Sequence, residues 1–202
     1  MFPLKDILVS YRLGFTFERS LGSDFEAILL KTRSLRNPLE ISLHNPDIVK
    51  LKSGKAADSN KLCRGDVIAP LRFTSFSAAY LADLPANSAI YTSNNLAVLH
   101  PKPNVSSSYL ALALRSYDVR DQLEQLATFR NADGTMIWGD KSTPTWKLTL
   151  RNLGDVQIPV PSLEQQACAV SHWHNMVAAH EQARLQIQLE ERRFWDDLSR
   201  CK

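Results

Sequence analysis

The stretch of sequence that decides the fold spans residues 148–166 and reads LTLRNLGDVQIPVPSLEQQ. Within it, Val156 and Ile158 alternate with polar neighbours, which is the period-two pattern of a half-buried strand. Pro159 and Pro161 have no backbone N–H to donate, so ladder pairing cannot continue past them. The pattern predicts a short strand that ends at Pro159.

A long helix is predicted to follow this strand. Ser162 is a good N-cap, and Gln165 lies three residues later in the capping-box position. Glu164 is in the first turn, where the helix dipole favours negative charge. Neither glycine nor proline occurs from Ser162 to Arg200. A continuous helix of roughly 55–60 Å is therefore expected at 1.5 Å per residue.

One broad apolar stripe runs along this predicted helix on a helical wheel. A domain at the base of such a rod cannot cover the whole stripe, which indicates a surface for dimerisation. Its predicted members are Val170, Trp173, Val177, Ile187 and Phe194, and Met176, Ala183 and Leu198 lie on the same stripe. The histidines at positions 172, 174 and 180 fall on different sides of the helix, so we expect no metal site there.

The composition fits one domain with an appendage. The chain has 202 residues, of which 44% are hydrophobic and 22% charged, an ordinary globular balance. No apolar run is long enough for a transmembrane helix and the first residues lack a signal-peptide pattern, so we expect a cytoplasmic protein. Three cysteines at unrelated spacings favour reduced thiols over a disulfide framework or a zinc site.

Positive charge is concentrated in one part of the chain. Between Lys31 and Arg72 the sequence has nine basic and four acidic residues, whereas the tail from Pro161 onward has five basic and six acidic residues. The net charge of the whole chain is only +3. This distribution gives the domain a positive potential that favours an anionic partner; an ordinary solvated surface is the alternative.

Four segments together carry a family resemblance. Residues 148–166 resemble the unit L-x-x-L-x-D-V-x-I-P-V-P-S-L-x-E-Q-Q that closes each target-recognition domain in the DNA-specificity (S) subunits of type I restriction-modification systems. The upstream segments LCRGDVI (62–68), SNNLAVLHP (93–101) and SYLALALRS (108–116) resemble a strand entry, the central strand and the following helix of that domain, in the same order and spacing.

The resemblance implies a mixed α/β fold with two parts. Residues 1–160 would form a compact target-recognition domain with a small twisted sheet and helices. Residues 161–202 would form a long C-terminal helix of the coiled-coil type.

The resemblance also implies a function. The chain would be a non-catalytic subunit that binds a bipartite site in double-stranded DNA and targets a partner methyltransferase subunit, with or without a restriction subunit, to that site. No cofactor is expected in this chain, because S-adenosylmethionine would be bound by the partner methyltransferase.

Two further function classes are the alternatives. One is a helical interaction protein of another defence system, whose basic domain binds protein or RNA. The other is an enzyme with an unrecognised motif. Against an enzyme, the sequence has neither the Asn-Pro-Pro-aromatic motif of adenine methyltransferases nor a glycine-rich loop for S-adenosylmethionine.

The number of domains departs from the family. A full S subunit has two recognition domains and two conserved helices that pair antiparallel, whereas this sequence has one of each and resembles half a subunit. We therefore predict a homodimer, in which two identical domains would read an interrupted palindrome.

Two short segments supply the first candidates for DNA contact. Lys31 and Arg33 follow an apolar strand predicted at residues 25–30, where the resemblance implies side chains that face DNA. A charged strand exit without a ligand is the alternative.

The second segment follows a strand predicted at residues 66–71. In the family this exit lies near DNA, which makes Arg72, Thr74 and Ser75 candidates. The alternative is that Phe73 and Phe76 are core residues and that the hydroxyl groups only cap a turn.

A long irregular loop at residues 128–145 is the third source of candidates. Loops of this length inside a compact domain are usually functional or disordered. The resemblance implies a loop directed at DNA, so the predicted contacts are Arg130, Asn131, Lys141, Ser142 and Thr143. Arginine pairs with guanine and asparagine with adenine in the major groove. Trp138 could stack on a base, but a core position is the alternative.

The remaining elements are predicted from periodicity and turn residues. Short strands are predicted at 39–43, 78–82, 88–92 and 96–100, the last three as a meander. Serine at 106, 107 or 108 is expected to cap one helix and Asp118 a second, with Val119, Leu123 and Leu126 on one face.

Overall fold

The computed structural model describes residues 1–15, 25–35, 39–43, 46–51, 59–85, 88–128, 135 and 145–200. The strands are β1 (Phe2–Pro3), β2 (Leu8–Leu13), β3 (Phe25–Leu30), β4 (Ile48–Leu51), β5 (Val67–Pro70), β6 (Arg72–Phe73), β7 (Ala79–Tyr80), β8 (Ile90–Thr92), β9 (Leu96–Pro101), β10 (Trp146–Lys147) and β11 (Gln157–Ile158). The α-helices are α1 (Ser107–Ala113), α2 (Tyr117–Leu126), α3 (Leu150–Asp155) and α4 (Leu163–Arg200), and 3-10 helices occur at Leu4–Ile7 and Thr32–Leu35. This order confirms the predicted mixed α/β class.

A four-stranded antiparallel sheet with the order β2-β9-β5-β7 divides the domain. Its central strand β5 is buried on both faces, since Val67 and Ala69 belong to the main core while Ile68 belongs to a second core on the other side. Burial on both faces explains why this strand has a continuous apolar sequence.

A second sheet has the order β4-β3-β8, in which β3 runs antiparallel to β4 and parallel to β8. The predicted meander is therefore wrong: β8 pairs with β3, whereas β9 pairs with β5 and β2. A tight turn, in which the Leu96 N–H donates to the Ser93 carbonyl at 3.0 Å, carries the chain from one sheet to the other. Turn residues specify that the chain reverses, but not which strand it then joins.

The strand predicted at residues 39–43 is also wrong. Only Glu40 forms a bridge there, opposite Tyr80, and the Tyr80 N–H donates to the Leu39 carbonyl at 2.8 Å. Leu39 and Ile41 would lie on the same face of a regular strand, because they are two residues apart. They are instead buried in different cores, so the segment only contacts the edge of β7.

The motif LCRGDVI forms the tight entry into β5. Gly65 has φ of +86°, a left-handed conformation that side-chain-bearing residues rarely adopt. The buried Asp66 carboxylate accepts from the Cys63 N–H at 2.8 Å, and its other oxygen lies 2.9 Å from Nδ1 of His100 on β9. The backbone conformation at Gly65 and the hydrogen bonds of Asp66 therefore explain why this motif contains a glycine and an aspartate.

The predicted helix caps are partly correct. Ser106 caps α1 and accepts from the Tyr109 N–H, as expected. For α2 the cap is Ser116, and Asp118 instead lies in the first turn, where its charge suits the helix dipole. Val119 and Leu123 of α2 are buried in the main core.

The predicted strand and helix of the fold-deciding stretch are confirmed. β11 pairs antiparallel with β1, so the first and last strands of the domain lie together. The capping box forms at the start of α4, since the Gln165 N–H donates to Ser162 Oγ at 3.3 Å and Ser162 N–H donates to Gln165 Oε1 at 3.1 Å. The helix continues for 38 residues.

The joint between the domain and α4 is fixed by hydrogen bonds from one buried side chain. Gln166 Oε1 accepts from the Ser106 N–H at 2.8 Å, and Gln166 Nε2 donates to the carbonyls of Asn104 at 3.0 Å and Pro161 at 2.9 Å. Nearby, the Tyr109 hydroxyl donates to the Pro159 carbonyl at 2.9 Å. The direction of the helix is thus set at its base.

Beyond this joint, α4 leaves the domain. Val170 and Trp173 still pack against the main core, but every described side chain from His174 to Ser199 is exposed. No helix in the described ranges is both long and apolar enough to cross a membrane.

Candidate nucleic-acid interface

The turn after β6 presents polar side chains to solvent. Phe73 and Phe76 are buried and meet edge to face with ring centroids 5.2 Å apart, so both are core residues. Between them, Thr74 and Ser75 are exposed. The two aromatic anchors therefore hold the hydroxyl groups outward.

Two cations stand side by side at this turn. In the antiparallel pair of β6 and β10, Arg72 lies directly opposite Lys147, and both side chains are exposed. Residues directly opposite in an antiparallel pair project from the same face, and like charges there repel each other. An anion bound between the two side chains would relieve that repulsion.

A small cleft lies next to this pair, between the turn and α2, and neither Arg72 nor Lys147 lines it. It is lined by Thr74 and Ser75 together with Arg120 and Glu124 of α2 and Trp146 of β10. Arg120 was not among the residues predicted from the sequence, because its proximity to the turn arises from packing between distant segments. We refer to the basic and hydroxyl-bearing residues of the pair and of the cleft, Arg72, Thr74, Ser75, Arg120 and Lys147, as the basic patch, and the acidic Glu124 also lines the cleft.

The described residues on either side of segment 129–144 lie beside this patch. The Thr128 N–H donates to the Lys147 carbonyl at 2.9 Å, and the Lys147 N–H donates to the Thr128 carbonyl at 2.6 Å. The predicted contacts Arg130, Asn131, Lys141, Ser142 and Thr143, and also Trp138, lie outside the described residues. Their flanking residues are anchored next to β6.

Lys31 and Arg33 form a separate charged cluster. Lys31 Nζ lies 3.3 Å from Oδ2 of Asp47, and the Arg33 guanidinium contacts Oδ1 of the same carboxylate. Desolvation raises the pKa of Asp47, but the hydrogen bonds from Arg33 and Lys31 outweigh it and hold the pKa below 3.8. Asp47 therefore stays ionised and partly neutralises both cations.

The 3-10 helix that carries Arg33 is tied to the turn of the basic patch. At its end, the Leu35 carbonyl accepts from Ser77 Oγ at 2.6 Å, and Arg115 donates to the carbonyls of Ala78 at 2.7 Å and Leu35 at 3.4 Å. Burial lowers the pKa of Arg115. The segment that carries Lys31 and Arg33 is thus hydrogen-bonded, through Leu35, to the residues that follow the turn of the basic patch.

The five residues predicted for dimerisation divide into two groups. Val170 and Trp173 pack on the domain. Val177, Ile187 and Phe194 are 42%, 57% and 56% exposed, respectively. The apolar stripe is therefore covered at its base and open along the rod.

Comparisons with known proteins bear on the fold. No protein-family model and no curated protein sequence matches this chain. The crystal structure of the HsdS subunit from Thermoanaerobacter tengcongensis is similar, with 16% sequence identity and a TM-score of 0.60 over 91% of this chain and 43% of that one. A structure that addresses complex assembly and conformational transition of the type I R-M system matches with 18% identity and a TM-score of 0.61, over 95% of this chain and 42% of that one.

These matches confirm the fold that the sequence motifs predict. The chain has the HsdS-like fold over nearly its whole length, including the long helix. It spans less than half the length of either solved chain.

Proposed function

We propose that this chain is a sequence-specific DNA-binding component of a type I restriction-modification system or a related defence system. Its domain would bind one half of a bipartite site in double-stranded DNA through the basic patch and through the predicted contacts in segment 129–144. The chain itself would be non-catalytic and would bring a separate adenine methyltransferase, which binds S-adenosylmethionine, and in some systems a restriction subunit, to that site. A cytoplasmic location belongs to the same proposal.

The observation that carries the proposal is the pairing of Arg72 with Lys147 beside two outward-facing hydroxyl groups. Two like charges held opposite each other favour an anionic ligand. Arginine, lysine and hydroxyl side chains are the groups that most often bind DNA phosphates, and arginine also reads guanine. The HsdS-like fold supports duplex DNA as that anion, in preference to RNA or an acidic protein.

The exposed part of α4 supports a second element of the proposal, a homodimer. Exposed Val177, Ile187 and Phe194 would be covered by α4 of a second copy, since two-fold homodimers are the commonest oligomers. Antiparallel pairing would put the two domains at opposite ends of the rod, so the target would be an interrupted palindrome.

The salt dependence of DNA binding tests the basic patch. Affinity for a pool of random duplexes is measured by fluorescence anisotropy between 50 and 300 mM salt for the native chain and for Arg72→Ala/Lys147→Ala. Each phosphate contact adds about −0.9 to the slope of log K against log salt, so the double variant should have a slope shallower by up to about 1.8. Arg192→Ala/Arg193→Ala removes the same charge from the distal helix and should leave the slope unchanged.

Selection from the random pool then tests sequence specificity. Sequencing of the bound fraction should give an interrupted palindrome, and RNA duplexes should compete poorly. A flat salt response, or equal losses from both double variants, would contradict the assignment of the basic patch. Equal binding of RNA and DNA without a selected sequence would favour the interaction-protein class.

A further inference from the structure

Asp47 holds the side chain of Arg33 at one nitrogen and leaves most of its donors free. The Arg33 guanidinium contacts Oδ1 of Asp47 through Nη2. A guanidinium carries five N–H donors in one plane, and within the described part of the chain the Arg33 side chain has no other hydrogen bond. The side chain is 62% exposed. One contact therefore restrains the guanidinium, while its remaining donors stay available to a ligand.

The carboxylate that holds Arg33 is itself fixed. Asp47 precedes β4, and its carbonyl accepts from the Leu29 N–H of β3 at 2.8 Å. Its second carboxylate oxygen, Oδ2, lies 3.3 Å from Lys31 Nζ, and the Asp47 side chain is only 24% exposed. A carboxylate with a cation on each oxygen and a paired backbone has little freedom to rotate. Asp47 thus gives Arg33 a fixed point of contact.

The backbone on both sides of Arg33 is also fixed. Before it, the Lys31 N–H donates to Ser34 Oγ at 3.3 Å, and the Ser34 N–H donates to the Lys31 carbonyl at 2.8 Å. After it, Leu35 is buried, and its carbonyl accepts from Ser77 Oγ at 2.6 Å. Ser77 follows the turn of the basic patch, so this contact joins the segment of Arg33 to that turn.

A restrained guanidinium suits base reading better than phosphate binding. Phosphate contacts carry no sequence information, and mobile surface cations can supply them. Guanine offers two acceptors, O6 and N7, on its major-groove edge, and an arginine reads both with two N–H groups in the plane of the base. A guanidinium that is oriented before binding loses less side-chain freedom when it forms this pair.

We propose that Arg33 reads a guanine in the major groove of the target half-site and that Asp47 is the positioning residue that orients its guanidinium. This inference rests on the DNA binding of the proposed function, and it names one base and the residue that reads it. Lys31, which lies on the second oxygen of Asp47, would contact a phosphate. Arg33 and Asp47 would therefore contribute to sequence selection, whereas Lys31 would contribute to affinity for any duplex.

Arg33→Lys separates the shape of the guanidinium from its charge. Affinity is measured by fluorescence anisotropy for the half-site selected from the random pool and for duplexes in which each G·C pair is replaced in turn. Lysine keeps the positive charge, so the slope of log K against log salt on random DNA should match that of the native chain. It cannot form the paired hydrogen bonds, so the preference for guanine at one position should fall by about five- to 100-fold.

A modified base identifies the same contact from the DNA side. 7-Deazaguanine lacks the N7 acceptor but still pairs with cytosine. At the position that Arg33→Lys identifies, this base should weaken binding by the native chain and should have little further effect on Arg33→Lys. At the other guanines of the half-site the two chains should respond alike.

Asp47→Asn tests the positioning role. The variant keeps Arg33 but removes the charge that holds it, so the guanine preference at the same position should fall by about two- to tenfold. Asp47→Glu retains a carboxylate and should stay closer to the native preference than Asp47→Asn does. A merely structural role of Asp47 would lower Tm and change the affinity for all duplexes alike, without moving the preference at one position.

Asp83→Asn is the matched control. Asp83 lies 3.7 Å from Arg64 in a second exposed ion pair of the domain, so the variant makes the same change of charge in a pair that does not include Arg33. Its preference at the position that Arg33→Lys identifies should equal that of the native chain.

The outcomes separate this inference from the proposed function. If the native chain selects a sequence but Arg33→Lys alters no guanine preference, or Asp47→Asn leaves that preference unchanged, the cluster is an ordinary surface ion pair. The inference is then overturned, while DNA recognition by the domain stands. A native chain that selects no sequence from the pool would overturn the proposed function as well.

Discussion

Replacement of Gln166 by alanine tests whether one buried side chain holds the helix to the domain. Gln166 is fully buried, and its amide makes hydrogen bonds to Ser106, Asn104 and Pro161. Alanine would leave the half-buried Ser106 N–H without its acceptor, and an unsatisfied buried group costs about 1–3 kcal/mol. Water can replace the bond to the exposed Asn104 carbonyl, so that loss is smaller. The expected total is about 2–3 kcal/mol.

The adjacent Gln165 provides a matched control. Gln165 is exposed and its side chain bonds only within the capping box of Ser162, so Gln165→Ala should cost about 0.5–1 kcal/mol. Calorimetry should therefore give a drop in Tm of about 5–10 °C for Gln166→Ala and of no more than about 3 °C for Gln165→Ala.

An isosteric substitution separates hydrogen bonding from packing. Gln166→Glu keeps the volume and the acceptor that faces Ser106, but it turns a carboxylate oxygen toward the carbonyls of Asn104 and Pro161. This variant should be at least as unstable as Gln166→Ala at neutral pH. If both variants unfold within about 1 °C of Gln165→Ala, Gln166 does not anchor the helix and the reasoning fails.

Two further predictions concern charged side chains. Asp47→Asn should tighten binding to random DNA at 50 mM salt, because Lys31 and Arg33 lose their carboxylate partner, and should make the slope of log K against log salt steeper by up to about 1.8. Fluorescence anisotropy measures this slope, and the thermal stability of the variant should be unchanged. An unchanged slope would exclude both cations from DNA contact. Asp155 pairs with Lys5 at 2.7 Å, and that hydrogen bond lowers the pKa of Asp155 below 3.8 and raises the pKa of Lys5. A carboxyl group whose pKa is lower in the folded than in the unfolded chain stabilises the fold at pH values above its unfolded pKa, and it loses that contribution as the pH falls through its folded pKa. The free energy of unfolding in urea should therefore fall more steeply below about pH 4 for the native chain than for Asp155→Asn. Parallel curves for the two chains would contradict this linkage.

Local signals in the sequence predicted the parts of the fold that depend on neighbouring residues. The capping box of Ser162 and Gln165, the end of β11 at Pro159 and the cap at Ser106 involve contacts over three residues or fewer. The partner of β8 could not be predicted in this way. β3, its actual partner, lies about sixty residues earlier in the chain, and β3 and β9 are both apolar strands that β8 could have joined.

For the candidate site, too, the sequence predicted the residues within one segment but not those brought together from distant segments. Arg72, Thr74 and Ser75 follow a recognisable strand, but the approach of Arg120 and Lys147 depends on packing between distant segments. Gln166 was missed although a signal exists. It precedes Val170 by four residues, so the helical period places both side chains on the same face, toward the core.

The polar anchor at the base of α4 also bears on the direction of the helix. Apolar contacts of Val170 and Trp173 alone would tolerate small rotations of the helix on the domain, because the hydrophobic effect is not directional. The three hydrogen bonds of Gln166 have defined angles and distances and therefore restrict that rotation. A rod of 38 residues is about 57 Å long, so a tilt of about 10° at the joint would move its far end by about 10 Å. In the proposed dimer that displacement would be comparable to about three base pairs of duplex DNA, at about 3.4 Å per step, and the spacing between the two half-sites would then depend on a glutamine that does not touch DNA.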